Sequence, residues 1–373
     1  MIYLDYAAAT PVSKKALDAM LPYFADNFFN PSAAYLPAKQ VRTDYEIAKS
    51  TIAHCIGAKG TDIVITSGAT EANNLAFKIV TKKCLVLATE HDSVLNVAKN
   101  YNHELIKVTK TGLIDLNDLR QKLDDNIELI SVSLANNEIG TIQPLAEIAA
   151  IIKAEKIRRL QNGLKTPLYL HSDASQAMSL IDINIARLGV DLLTLNSAKV
   201  YGPKGVGALY VAHDVKLSPI AYGGGQEMGL RSGTENVPCV IGFATAFADA
   251  KAHINSNRKK YARFKQIFLS ELQDAKAMPI NPQLDNFCPL IFDGLDAERL
   301  IYKLEEQGIY VSTGAACAAS KGQKSKTLAA IGLKDSEIAG SLRITFGAMT
   351  TKNDIRTAAH ALNEIVAHER SRQ

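Results

Sequence analysis

The sequence lacks paired cysteine motifs. Its cysteines are scattered, odd in number and without a C-x-x-C pair; they are Cys55, Cys84, Cys239, Cys288 and Cys317. This pattern argues against a disulfide framework and against a structural zinc site, so no metal is expected. It fits a reducing, cytoplasmic environment best and leaves at least one thiol for chemistry.

Long apolar runs and a strong net charge are missing as well. No uninterrupted apolar stretch approaches the ~20 residues that a membrane span needs, and the first residues do not resemble a signal peptide. A formal net charge of +4 over 373 residues is far from the basic stripe of a nucleic-acid-binding protein. We therefore expect neither a membrane nor a nucleic acid as a direct partner.

Short β-rich runs alternate with amphipathic stretches over the first two-thirds of the chain. The runs are 63–65, 85–87, 129–132, 168–170 and 192–195. This alternation predicts an α/β fold with a mostly parallel sheet, covered on both faces, and ligands beyond the carboxyl ends of the strands. After residue 250 the pattern changes to a long charged helix over 250–275 and then to a smaller α+β region. We expect a large domain over 16–249 and a small domain that combines 1–15 with 250–373.

Two segments follow predicted strands with polar residues. Segment 66–72, TSGATEA, opens a predicted helix, and its backbone N–H groups and hydroxyls suit a phosphate, although a capped turn without a ligand has the same pattern. Segment 171–176, HSDASQ, places Asp173 where it could accept a hydrogen bond from a protonated pyridine nitrogen. Asp173 could equally be a helix cap, and a metal site there finds no supporting cluster.

Segment 195–211, LNSAKVYGPKGVGALYV, carries the strongest single indication. Lys199 directly follows a predicted buried strand and precedes a Gly-Pro turn, a position where a lysine that only adds charge to the surface is not expected. Its amine can form a Schiff base with a carbonyl cofactor, whereas the alternative is an ordinary loop lysine. The glycines that follow lack the spacing of a phosphate-binding P-loop, so that interpretation is rejected.

Taken together, these segments resemble the class V aminotransferase family and, within it, the cysteine desulfurases of the NifS/IscS type. The further segments that carry the resemblance are 3–11 (YLDYAAATP), 30–32 (NPS), 90–93 (EHDS), 136–140 (NNEIG), 223–227 (GGGQE), 231–236 (RSGTEN), 312–317 (STGAAC) and 341–343 (SLR). The resemblance covers nearly the whole chain. It implies the fold type I of pyridoxal-phosphate-dependent transferases, similar to aspartate aminotransferase, with pyridoxal 5'-phosphate as the cofactor.

The resemblance also implies roles for individual residues. Lys199 would hold the cofactor and move a proton, His91 would stack on the pyridine ring and assist proton transfer, and Asp173 would bond the ring nitrogen. Arg343 would clamp the substrate carboxylate, for which a bidentate guanidinium is suited. The remaining implied contacts are Gln176 and Asn137 at the ring oxygen and the substrate side, Ala69, Thr70, Asn196 and Ala198 at the phosphate, and Thr234 at the phosphate of the partner subunit. An obligate homodimer with shared active sites would follow.

Cys317 lies among small and polar residues in segment 313–324, TGAACAASKGQK. A buried structural cysteine is the alternative, since most cysteines are buried. The resemblance implies that Cys317 is the nucleophile of a long-loop, group I desulfurase. It would take sulfur from L-cysteine as a persulfide, release alanine and pass the sulfur to an acceptor protein in iron–sulfur cluster assembly or tRNA thiolation.

The sequence departs from the family pattern near the expected cofactor site. Ala198 stands where a histidine usually contacts the phosphate, which removes a charge-assisted hydrogen bond of ~1.5–3 kcal/mol. Asn196 replaces the usual serine, and Met228 and the pair 348–349 stand where arginines are common. Two alternatives therefore stay open. One is a selenocysteine lyase or another class V enzyme, and the other is a catalytically impaired, desulfurase-like scaffold or sulfur-relay subunit.

Overall fold

A seven-stranded sheet forms the centre of the molecule. The computed structural model describes residues 1–274, 276–277, 283–313 and 324–372. The sheet strands are β2 (Ile63–Thr66), β3 (Lys83–Leu87), β4 (His103–Ile106), β5 (Ile127–Ser131), β6 (Tyr169–Asp173), β7 (Leu192–Asn196) and β8 (Gly207–Val211), and β1 (Ile2–Tyr3) lies outside it. Their order is β2-β8-β7-β6-β5-β3-β4, and only β8 runs antiparallel to its neighbours. The mostly parallel α/β sheet is therefore confirmed.

Both faces of this sheet are buried, because neighbouring side chains of one strand point to opposite sides. Ile63 and Ile65 belong to the larger apolar core, whereas Val64 between them belongs to a second core on the other face. Leu192 and Leu193 divide between the two cores in the same way. This double burial explains why the strands are continuous apolar runs rather than alternating patterns.

Helices cover the sheet and connect its strands. In the first part of the chain they are α1 (Lys14–Met20), α2 (Pro22–Ala25), α3 (Leu36–Cys55), α4 (Ala69–Ala76), α5 (Asp92–Ala98), α6 (Leu116–Lys122), α7 (Leu145–Gln161), α8 (Ile185–Leu188) and α9 (Val237–Ala252). Helix α3 packs against α9, and α4 packs against β7 and β8. No helix among the described residues is long and apolar enough to cross a membrane.

A second sheet, mostly from the C-terminal third, is antiparallel. Its strands are β9 (Lys276–Ala277), β10 (Phe287–Ile291), β12 (Ser312–Thr313) and β13 (Ser341–Thr345), in the order β12-β13-β10-β9. The helices of this region are α10 (Ile254–Glu271), α11 (Ala297–Glu306), α12 (Lys326–Ala330), α13 (Asp335–Ala339) and α14 (Lys352–Arg370). Strand β1 pairs with β11 (Ile309–Tyr310), so the N-terminal strand is hydrogen-bonded to the C-terminal region.

The long charged helix expected over 250–275 is present as α10, but it is shorter than expected. Helix α9 ends at Ala252 and α10 begins at Ile254, with His253 between them at φ −106° and ψ 6°. The N–H of His253 donates to Ala250 O, a tightened turn that closes α9. The charged pattern belongs to α10 alone, which has only four buried residues, whereas half of the residues of α9 are buried.

Candidate active site

A cavity of about 260 Å³ lies at the carboxyl ends of the parallel strands β6 and β7. Its volume suits a small molecule rather than a macromolecule. The predicted site residues that line it are Ala69, Thr70, His91, Asn137, Asp173, Gln176, Asn196, Lys199 and Arg343. The structure therefore brings together residues that are up to 274 positions apart in the chain, counted from Ala69 to Arg343.

Lys199 ends a short 3₁₀ turn directly after β7. Its Nζ donates to the backbone carbonyls of Ala7 and Ala8, each at 2.6 Å. Gln176 Nε2 donates to the same Ala7 carbonyl at 2.9 Å. Thr10 fixes this arrangement from the other side, because its Oγ1 donates to Ala198 O at 3.0 Å. The N-terminal segment thus forms one wall of the cavity and holds the amine inside it.

Asp173 is the last residue of β6, and its side chain is buried. Its Oδ1 accepts the N–H of Ser175 at 2.8 Å, a local turn of the kind that the sequence allowed. Its Oδ2 accepts from Asn73 Nδ2 at 2.9 Å. The carboxylate of Asp173 is therefore held by two donors and also lines the cavity. Its local turn does not prevent it from facing a ring nitrogen in the cavity, so both roles considered from the sequence are compatible.

His91 caps the N-terminus of α5 and lines the cavity. Its Nδ1 accepts the backbone N–H of Ser93 at 3.0 Å and lies 2.8 Å from Ser93 Oγ. A backbone N–H can only donate, so Nδ1 carries no proton. The proton of the neutral imidazole must then reside on Nε2, which gives this ring a defined tautomer.

The start of α4 forms another part of the cavity wall. Gly68 precedes the helix at φ +150°, and no side chain caps the helix there. Ala69 and Thr70 form the first turn, whose N–H groups lack acceptors within the helix. Gly207 on β8 permits this turn, because a Cβ there would lie 2.7 Å from Gly68 Cα. Uncapped N–H groups at a helix start favour a phosphate.

Asn196 and Ala198 differ in their relation to this end of the cavity. Asn196 lines it, and its Oδ1 accepts the N–H of Ala198 at 3.3 Å. Ala198 is half-buried and does not line the cavity. Its contribution in the structure is its carbonyl, which accepts from Thr10. The phosphate contact expected at Ala198 stays a prediction.

Thr234 is exposed and does not line the cavity. Earlier in the same loop, Glu227 is buried at φ 47° and accepts from Lys49 Nζ at 2.9 Å and from Ile65 N at 2.7 Å. Met228 beside it is exposed at φ 59°. A surface position is what a contribution to a partner subunit requires, and that contribution stays a prediction.

Arg343 in β13 is buried and approaches the cavity from the second sheet. Its Nη1 donates to Asn137 O at 2.9 Å, and its Nη2 donates to Asp5 Oδ1 at 2.7 Å. Asn137 and Arg343, both predicted on the substrate side, are thus in direct contact. Asp5, which was quoted only as part of a motif, completes the group.

Cys317 lies outside the described residues. The chain before it ends in β12, whose Ser312 pairs with Arg343 on β13. The chain after it returns at 324–327, where Thr327 Oγ1 donates to Glu138 Oε1 at 2.8 Å. Lys324, Lys326 and Thr327 line the cavity. The described residues on either side of the Cys317 segment are therefore joined to the cavity wall.

The other thiols are poorly suited to nucleophilic chemistry. Cys55, Cys84 and Cys288 are buried, and burial raises their pKa to about 11, about 12 and about 12, respectively. Burial also raises the pKa of Cys239, which is half-buried. A thiol acts as a nucleophile only as a thiolate, so these four groups are inert near neutral pH.

Among the acidic residues that line the cavity, Glu90 and Glu138 were not assigned a role from the sequence and have a raised pKa. Glu90 is buried, its Oε1 accepts the N–H of Ser133, and its Oε2 has no partner among the described residues. Burial raises the pKa of Glu90 to about 8, and the nearby carboxylate of Asp173 acts in the same direction. Burial also raises the pKa of Glu138. In the sequence, Glu90 directly precedes His91 and Glu138 directly follows Asn137. This adjacency to predicted site residues is the signal from which both could have been found.

The chain is similar over nearly its whole length to proteins of one family. The family model described as aminotransferase class V matches residues 2–357. The relative named cysteine desulfurase IscS 1, from Archaeoglobus fulgidus, is 37% identical, and the alignment covers 100% of this chain and 98% of the relative. A solved NifS-like protein from Rickettsia africae has a TM-score of 0.88 at 30% identity, with 98% and 99% of the two chains covered. A structure described as SspA in complex with cysteine has a TM-score of 0.81 at 31% identity, with 93% and 99% covered.

Proposed function

This chain belongs to the class V aminotransferase family, and on that premise we propose that it is a pyridoxal-phosphate-dependent L-cysteine desulfurase. The fold type I that the sequence resemblance implied is confirmed by the solved relatives. The observation that supports the activity most is the convergence of Lys199, Asp173 and the start of α4 on one cavity. The identity of the substrate, L-cysteine, is inferred from full-length relatives that are named cysteine desulfurases.

The residues of the cavity fit pyridoxal 5'-phosphate. The amine of Lys199 suits its aldehyde, the buried carboxylate of Asp173 suits its ring nitrogen, and the uncapped first turn at Ala69 and Thr70 suits its phosphate. When bound, this cofactor supplies an electron sink for charge that develops at the substrate α-carbon.

The chain's own residues then bind the substrate and move protons. Arg343 binds the carboxylate of cysteine, and Asn137 O helps to orient its guanidinium. Lys199 Nζ takes the α-proton and returns a proton to the product, while His91 Nε2 holds a proton beside the cavity. Cys317, as a thiolate, bonds to the substrate sulfur while the carbon–sulfur bond breaks, so that alanine leaves and the protein keeps a persulfide.

The proposal extends to a homodimer in which Thr234 of each subunit serves the cofactor phosphate of the other. Supporting it, Thr234 is exposed and away from its own cavity. Large apolar side chains are also exposed along α1 to α3; they are Leu17, Leu21, Phe24, Phe28, Tyr35 and Leu36. The division into domains 16–249 and 1–15 with 250–373, the sulfur-acceptor protein and the cytoplasmic location stay predictions.

The test is to incubate the purified protein with pyridoxal 5'-phosphate and L-cysteine and to measure alanine and sulfide. We expect both products in the intact protein and in Lys204→Ala, because Lys204 is an exposed lysine of the neighbouring loop. In Lys199→Ala we expect loss of the borohydride-reducible cofactor adduct and a fall in rate of ~10²–10⁴-fold. Cofactor binding without alanine would favour the scaffold alternative, and preference for selenocysteine would favour a lyase.

A further inference from the structure

Asn73 lies inside α4, one turn after the phosphate-binding residues, and its side chain is fully buried. One hydrogen of its Nδ2 goes to Asp173 Oδ2 at 2.9 Å, and the other goes to Ser93 Oγ at 2.9 Å. Ser93 Oγ in turn lies 2.8 Å from His91 Nδ1. A continuous chain of hydrogen bonds therefore runs from Asp173 through Asn73 and Ser93 to His91.

The direction of each bond in this chain is fixed by chemistry. The carboxylate of Asp173 only accepts, so the amide must present its NH₂ group there, since the opposite orientation would place two oxygens face to face. Ser93 Oγ accepts from Asn73, which leaves its own hydrogen for His91 Nδ1. That nitrogen also accepts the Ser93 backbone N–H at 3.0 Å. Two donors thus converge on Nδ1.

We infer that Asn73 is a positioning residue of this active site, which orients the Asp173 carboxylate and, through Ser93, the His91 ring. The inference rests on the proposed function, because Asp173 and His91 are assigned to the cofactor there. Asn73 belongs to the helix that begins at Ala69. A single rigid element therefore sets the phosphate site, the ring-nitrogen partner and the stacking histidine relative to one another.

A purely structural role for a buried asparagine makes a different prediction. Asn73 Oδ1 is buried without a partner among the described residues, so replacement by leucine removes an unsatisfied acceptor as well as two donated bonds. A residue that only fills space would tolerate this change. A positioning residue would instead transmit it to Asp173 and to the His91 ring, which leucine at position 73 does not bond.

The test uses cofactor-free protein and two measurements. The first is the affinity for pyridoxal 5'-phosphate by titration, and the second is the ¹⁵N resonance of His91 Nδ1, assigned with His91→Gln. In Asn73→Leu we expect ~10-fold weaker cofactor binding and a shifted Nδ1 resonance. In Ser93→Ala we expect the shifted resonance with nearly intact affinity, because the bond from Asn73 to Asp173 remains.

The matched control is Asn286→Leu. Asn286 is buried, its Nδ2 donates to Phe346 O at 3.3 Å, and it does not line the cavity. We expect it to change neither readout. The inference is overturned if folded Asn73→Leu shows an unmoved Nδ1 resonance and an unchanged affinity for pyridoxal 5'-phosphate. If Asn73→Leu does not fold, an unmoved Nδ1 resonance in Ser93→Ala overturns the inference instead. If the intact protein fails to bind the cofactor, the proposed function fails, while the resonance still tests the relay.

Discussion

Arg343, which lines the cavity, forms a nearly buried ion pair with Asp5, with 2.7 Å between Nη2 and Oδ1. The guanidinium exposes only 4% of its side-chain surface and the carboxylate 16%. Asp5 therefore neutralises part of the charge of Arg343 and fixes one edge of its fork. Under the proposed function, a substrate carboxylate would share this guanidinium with Asp5 Oδ1 and Asn137 O.

This geometry predicts the effect of Arg343→Lys. Lysine keeps the charge but cannot bond Asp5, Asn137 O and a carboxylate together in one plane. We expect KM for cysteine to rise ~10-fold or more with a smaller change in kcat, as steady-state alanine formation will show. Arg263→Lys, at an exposed position of α10, should leave both constants unchanged. An unaltered KM in Arg343→Lys would remove Arg343 from substrate binding.

The raised pKa of Glu90 predicts that the free energy of unfolding depends on pH. Burial raises its pKa from 4.5 to about 8 in the folded protein, so the folded state holds a proton that the unfolded chain releases. Protonated Glu90 therefore contributes its full stabilisation of the folded state below pH 4.5. This contribution falls as the pH rises and is lost as the pH passes through about 8. Glu90→Gln, which cannot ionise, should therefore lose less stability than the intact protein between pH 5 and 9. The expected difference is on the order of a few kcal/mol.

Urea unfolding of the cofactor-free protein at pH 5 and pH 9 measures this difference. Glu364→Gln serves as the control, because Glu364 is exposed on α14 and its substitution should leave the pH profile unchanged. Parallel profiles for Glu90→Gln and the intact protein would mean that Glu90 ionises in the folded state as it does in water.

The fold was largely predictable because its strands are buried on both faces and so appear as apolar runs. Strand β4 was missed, since of its four residues only Ile106 is buried. The break at His253 was also missed, because the helix was predicted from residue 250, which lies inside α9. Local sequence cannot show where a continuous helical pattern is divided.

The site was predictable as far as its residues follow strands or match motifs. Lys199, Asp173 and Thr70 all precede or begin turns at one edge of the sheet, where parallel strands end together. Asn73 was not predictable, because its role depends on Asp173, 100 residues later in the chain. The ion pair of Arg343 with Asp5, which are 338 residues apart, could not be derived for the same reason.

Cys317→Ser separates cofactor binding from sulfur transfer. Serine cannot form a persulfide, so we expect normal binding of pyridoxal 5'-phosphate but loss of sulfide and alanine production. Mass spectrometry of the intact protein after exposure to cysteine should show one added sulfur at Cys317 and none in the variant. Cys239→Ser is the control, because burial raises the pKa of that half-buried thiol and keeps it inert. Full desulfurase activity in Cys317→Ser would assign the nucleophile elsewhere.

Thr234→Val tests the shared active site. If the chain were monomeric, substitution of this exposed residue outside its own cavity should change stability by no more than ~0.5 kcal/mol and leave cofactor affinity intact. In a homodimer with shared sites, the lost hydroxyl removes a charge-assisted bond to the phosphate, and we expect affinity for pyridoxal 5'-phosphate to fall ~10-fold.

Titration of the cofactor-free protein gives the affinity, and light scattering after size-exclusion chromatography gives the mass. Thr357→Val, on the exposed side of α14, should leave both unchanged. A dimer whose affinity is untouched by Thr234→Val would keep the oligomer but place the phosphate contact on other residues.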